Sequence, residues 1–160
     1  MFPNKIKVKA KKLFNLCLKR NVKLIFAESC TGGLLSALMT SFPNSSKIFI
    51  QSFVTYSNTS KNKLLGVKKQ TLQKYGAVSK EVAKEMLNKL GRENKSSIVL
   101  SITGIAGPSG KTKTKAIGLV FIGIKGKKGT FVNKFNFKGN REKIRLLSVE
   151  KAIDLIQSII

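Results

Sequence analysis

The chain has 160 residues, the size of one ordinary domain. Its 42% apolar content and mean hydropathy of −0.03 are enough to build a core without metals or disulfides. It has no His, which excludes Ser-His-Asp triads, Cys-His pairs and His-bearing zinc sites, and its seven acids offer almost no material for a Mg²⁺ or Ca²⁺ cage. A net charge of +24, mostly from lysine spread along the whole chain, attracts polyanions nonspecifically, while the arginine forks that suit sequence reading are scarce.

In chain order, Ile6, Leu13, Leu16 and Cys17 predict an amphipathic helix over residues 4–20, with Cys17 in the core. A short apolar run at 23–27 predicts a strand. It breaks at ESCTGG (28–33) and resumes as LLSALMTSF, a helix ended by Pro43. Residues 48–56 are β-branched and aromatic, as in a strand, and helical pieces follow around 61–65 and 68–75, the second closed by Gly76. Ser79 is read as the cap of a helix whose stripe is Val82, Ala83, Met86, Leu87 and Leu90, with Gly91 ending it. Residues 97–103 form a buried-type strand that runs into TGIAGPSG, and 116–124 form another. Gly126 and Gly129 mark a hairpin to 130–137. Asn140 opens a last helix carrying Leu146, Val149, Ile153, Ile156 and Ile160. Interleaved strands and helices predict an α/β layered fold, a single domain over 1–160 without internal repeats.

Cys17 and Cys30 form no CxxC, no run approaches the roughly 18 apolar residues of a membrane span, and the N-terminal apolar residues alternate with lysine. The chain is therefore expected in the cytoplasm.

Three special stretches follow predicted strands: 28–33, 55–61 (TYSNTSK) and 103–110. If those strands are parallel, the three loops share the edge at which open α/β sheets bind ligands. ESCTGG sets Ser29, Cys30 and Thr31 at a helix N-terminus, where backbone N–H groups favour an oxyanion; the alternative is that Ser29 or Thr31 is simply the N-cap. Without His, a serine nucleophile needs a lysine kept neutral by burial or by a neighbouring cation. Lys61 is the candidate, five residues after Tyr56, whose hydroxyl is suited to relay or orient the proton. Cys30 is the rival nucleophile, because a thiol at a helix N-terminus ionises more readily. TGIAGPSG has the glycine density of a loop that approaches a ligand, yet it is neither GxGxxG nor a Walker A motif. Arg141 and Arg145 share a helix face and suit either an anion clamp or pairing with Glu142.

Taken in order, AESCTGG (27–33), VTYSNTSKNKLLGV (54–67), YGAVSKEVAKEM (75–86), ITGIAGPSG (102–110) and GNREKIRLLSVEKAI (139–153) resemble the CinA C-terminal domain family, from about residue 10 onward. Its members with known activity are nicotinamide-nucleotide amidases. The resemblance implies a three-layer α/β/α sandwich with a mixed sheet. It also implies hydrolysis of the carboxamide of nicotinamide mononucleotide to nicotinate mononucleotide and ammonia, a step of pyridine nucleotide recycling that needs no metal or cofactor. By the same resemblance Ser29 is the nucleophile, Lys61 the general base and Tyr56 their support. Thr31, Gly32, Gly33, Thr103, Gly104 and Gly107 fall on substrate and oxyanion-binding loops, and at least one of Arg141 and Arg145 meets the substrate phosphate. A homodimer with no membrane or specific nucleic-acid partner is expected. The chain departs from the family pattern at 111–116, where KTKTKA replaces further glycines and a Lys-Pro, and at Asn140, where an acid is frequent. Many relatives carry a preceding molybdopterin-binding-like domain for which 160 residues leave no room, so a stand-alone form is expected. The alternative reading is a catalytically idle relative that binds nucleotide or nucleic acid through its basic surface.

Overall fold

The structure, a computed structural model, describes residues 2–93 and 97–160. Helix α1 (Asn4–Arg20) buries Ile6, Ala10, Leu13, Phe14 and Cys17 and ends at Asn21, which takes the left-handed conformation and donates its N–H back to the last turn. Strand β1 (Lys23–Glu28) leads through a glycine turn into α2 (Leu34–Thr40), and a 3₁₀ turn (Ser45–Lys47) precedes β2 (Phe49–Val54). Helices α3 (Asn58–Leu65), α4 (Lys69–Tyr75) and α5 (Lys80–Glu93) follow, then β3 (Ser97–Gly104), the hairpin β4 (Leu119–Gly126) and β5 (Gly129–Asn136), and α6 (Arg141–Ile159).

The sheet runs β2-β1-β3-β4-β5, with β1 parallel to both β2 and β3, and with β4 antiparallel to β3 and β5. Alternation along the strands divides the core. Leu24, Phe26, Leu100, Ile102, Val120 and Ile122 pack under α1, α2 and α6, while Ile25, Ala27 and Val99 pack under α3, α4 and α5. This is the three-layer α/β/α arrangement with a mixed sheet. β1 and β3 are buried on both faces, which explains their nearly unbroken apolar sequences.

Because β1, β2 and β3 are parallel, their carboxyl ends lie on one edge and bring the loops after Glu28, Val54 and Gly104 together. β5 also finishes at that edge and delivers the start of α6 there. Two caps match expectation: Asn140 accepts from Lys143 N at 2.9 Å, and Ser79 Oγ accepts from Val82 N at 3.2 Å.

Three boundaries differ from the sequence reading. α5 continues past Gly91 to Glu93; a side chain there would come 2.5 Å from Lys125 Cδ, so the glycine serves close packing against β4 rather than a helix stop. α3 begins at Asn58, three residues before Lys61, because Ser57 and Ser60 form a reciprocal capping box. Residues 116–118 form a turn, and the strand starts only at Leu119. No helix among the described residues is long and apolar enough to cross a membrane.

Candidate active site

Ser29 follows the last residue of β1, and its N–H continues the ladder to Ile102 O at 3.0 Å, so a central strand holds its backbone. Lys61 lies in the first turn of α3, 1% exposed, and its amine is 2.9 Å from Ser29 Oγ. The same nitrogen donates to Thr55 O at 2.7 Å and, more weakly, to Tyr56 O at 3.5 Å. These three oxygens match the three N–H donors of a protonated amine; a neutral amine keeps two N–H bonds for the carbonyls and can turn its lone pair to the serine hydroxyl. Burial lowers the Lys61 pKa from 10.5 to about 8, against a smaller opposing contribution from Cys30. Among the described residues no acid forms an ion pair with it. The pair therefore sets a serine hydroxyl against an amine that gives up its proton more readily than an ordinary lysine.

The neighbouring turn differs from the helix-terminus oxyanion site that the sequence suggested. Neither Ser29 nor Thr31 caps α2; Gly33 occupies the cap position, and the carboxylate of Glu28 does the work. Glu28 accepts from Gly33 N (3.1 Å), Leu35 N (3.2 Å), Ser36 N (2.9 Å) and Ser36 Oγ (2.5 Å), while Leu34 N bonds to Thr31 O. The first amides of α2 are thus engaged and do not face an oxyanion. Cys30 is buried beside Ser29: burial pushes its thiol up to about 12, and the lysine amine bonds to Ser29 rather than to the thiol.

A cleft of about 280 Å³ opens over the pair. Of the residues singled out from sequence, Ser29, Tyr56, Lys61, Thr103, Gly104, Gly107 and Arg141 line it, together with Cys30 and Ala77, Val78, Ser109 and Gly110. Thr103 also braces the wall, donating to Ala77 O at 2.8 Å. Gly104 has no room for a side chain, since a Cβ would lie 2.6 Å from Val120 Cγ2 and 3.1 Å from Cys30 Sγ.

Thr31, Gly32, Gly33 and Arg145 are not brought to the cleft. Arg145 donates to Thr31 O at 2.7 Å, and its guanidinium lies 3.1 Å from where a Gly32 side chain would begin, so it braces the glycine turn from behind. Arg141 faces the cleft, donating to Gly107 O at 2.7 Å and to the Tyr56 hydroxyl at 2.8 Å. Tyr56 is 61% exposed. Its hydroxyl accepts from Arg141, and its link to Lys61 is through the main-chain carbonyl at 3.5 Å. Ala77, Val78 and the capping role of Glu28 escaped the sequence reading. Ala77, Val78 and Glu28 all lie inside the motifs quoted above, yet only the packing shows which way they face. Among the described residues no three His, Cys, Asp or Glu side chains converge as metal ligands.

Residues 6–160 match the family model of the CinA C-terminal domain. The chain belongs to this family. A CinA-like protein of Endomicrobium trichonymphae is 51% identical over 142 residues, covering 89% of this chain and 33% of that protein. The chain spans about a third of the length of the curated relatives it matches. The competence/damage inducible protein CihA of Agrobacterium tumefaciens superposes with a TM-score of 0.94 at 32% identity, covering 99% of this chain and 98% of that one. A competence-damaged protein (CinA) superfamily protein of Escherichia coli gives 0.91 at 27% identity, over 100% and 94% of the two chains. The likeness to these CinA proteins therefore extends over the whole three-layer arrangement that carries the cleft.

Proposed function

We propose that this CinA-family chain is a serine–lysine amidohydrolase whose substrate is the carboxamide of nicotinamide mononucleotide. The observation that carries this reading is the buried Lys61 amine 2.9 Å from Ser29 Oγ, close enough to take the hydroxyl proton once the amine is neutral. Ser29 Oγ attacks the amide carbon as its proton passes to Lys61. The tetrahedral intermediate then collapses, the C–N bond breaks, and Lys61 returns the proton to the departing ammonia. Water, deprotonated by Lys61, next attacks the acyl ester; the C–O bond to Ser29 breaks and the serine recovers its proton, releasing nicotinate mononucleotide. Arg141, aimed at the cleft and held by Gly107 O, supplies the cation for the substrate phosphate.

Three expectations follow from these groups. Lys61 must be neutral to act, so kcat/KM rises about tenfold per pH unit below its pKa of about 8 and levels off above it. The sign for stability follows from the same depression: between pH 8 and 10.5 the unfolded lysine holds a proton that the folded one has released. Wild type therefore gains roughly 3 kcal/mol relative to Lys61→Met across that window, and the difference is flat below it. Urea unfolding of both proteins from pH 6 to 10.5 checks this, and parallel curves would contradict it. Arg141→Ala is expected to raise KM for nicotinamide mononucleotide by about 10- to 100-fold, the worth of a charged hydrogen bond. The same variant leaves the affinity for nicotinamide riboside, which lacks the phosphate, nearly unchanged; an equal loss for both would remove Arg141 from phosphate binding.

A further inference from the structure

We propose that Glu28 is a positioning residue: by binding the first amides of α2, it locks the turn that carries Ser29 and directs that helix terminus away from the cleft. The inference rests on the serine–lysine reading above. Glu28 is fully buried at the end of β1, next to the nucleophile in sequence. One carboxylate oxygen takes Ser36 N and Ser36 Oγ, and the other takes Gly33 N and Leu35 N. The strand end and the helix start are thereby joined across the five residues between them, and Ser29 is the first of those five.

The turn itself explains why a long acid is needed. Gly32 and Gly33 have positive φ (59° and 88°), a backbone that only glycine adopts without strain, and glycine has no side chain with which to cap α2. An Asp at position 28 would be one methylene short of four donors, and a Gln would turn N–H groups toward some of them. The carboxylate also answers the positive end of α2, so the helix does not favour a thiolate at Cys30, and the charge of Glu28 adds to the burial that keeps that thiol protonated. One side chain thus holds the hydroxyl in line with Lys61 and leaves the adjacent thiol inert.

The test labels Ser29 with a fluorophosphonate and follows the rate by mass spectrometry, which needs no amide substrate, in wild type, Glu28→Gln, Glu28→Ala and Met39→Ala. The last removes a buried α2 side chain on the core side, and so destabilises the helix without touching the turn. All proteins are labelled at a temperature where circular dichroism shows them folded. Labelling is expected to fall about tenfold in Glu28→Gln and about 100-fold in Glu28→Ala, the scale for a nucleophile displaced by about 1 Å. Met39→Ala should label at the native rate, and Cys30 should alkylate faster in Glu28→Ala than in wild type. Native-rate labelling of folded Glu28→Gln and Glu28→Ala overturns the positioning role, as does an equal fall in Met39→Ala. A wild-type protein that does not label at Ser29 sinks the serine–lysine reading itself, and this inference with it.

Discussion

Ser29→Ala and Lys61→Met are each expected to lower amide hydrolysis by on the order of 10⁴-fold, with the double variant no worse than either alone. In the proposed mechanism hydroxyl and amine act as one unit: an amine without its serine has no nucleophile to activate, and a serine without its lysine keeps its proton at neutral pH. The 2.9 Å contact and the two carbonyls that hold the amine make that dependence geometric as well as chemical. Met approximates the length of the lysine stem in its buried channel, so the fold survives the change while Thr55 O loses its donor. Steady-state ammonia release from the three variants, with circular dichroism as the check on folding, measures the effect. Losses that multiply in the double variant would show that the two groups act separately.

Gly118→Ala is expected to have the largest effect on stability, at least about 3 kcal/mol, because it adds a side chain where both the backbone and its neighbour forbid one. Gly118 has φ +90°, and a Cβ there would overlap the carbonyl oxygen of Phe137, a backbone atom that cannot rotate aside. The residue also joins three segments: its N–H donates to Ile105 O at 2.8 Å, and its carbonyl accepts from Phe137 N at 2.9 Å. These bonds tie the glycine loop that lines the cleft to the strand end from which α6 and Arg141 start. Activity should therefore fall together with the urea midpoint, whereas Gly66→Ala, at positive φ but with nothing nearby, costs only the backbone strain. Equal midpoints for the two variants would contradict this account.

Much of the fold was legible because burial alternates with the period of each element. The α1 stripe, the α5 stripe and the uniformly apolar β1 and β3 each announce their packing face in one dimension. The Ser29–Lys61 pair was legible by elimination and resemblance together, since without His a serine must look to a lysine. What failed depended on the direction of side chains. Arg141 and Arg145 are one turn apart on α6, yet one reaches the cleft and the other braces the Thr31 carbonyl, a difference set by how α6 lies across the sheet edge. Glu28 read as part of a polar run, because nothing in the letters ESCTGG says that its carboxylate turns back to Ser36. Tyr56 was read from its chemistry as relaying or orienting the proton, but its hydroxyl accepts from Arg141 at the cleft wall. Gly91 carried the letter of a helix stop and serves a side-chain contact from a strand distant in sequence.

Mixing the protein with nicotinamide mononucleotide in EDTA, measuring ammonia, and quenching in acid to look for the acyl ester on Ser29 tests the serine–lysine amidase mechanism. Ammonia and nicotinate mononucleotide are expected in equal amounts, unaffected by the chelator, with the Ser29 peptide transiently carrying the nucleotide acyl group. The well-folded protein releasing no ammonia, or releasing it through an adduct on Cys30, would contradict it.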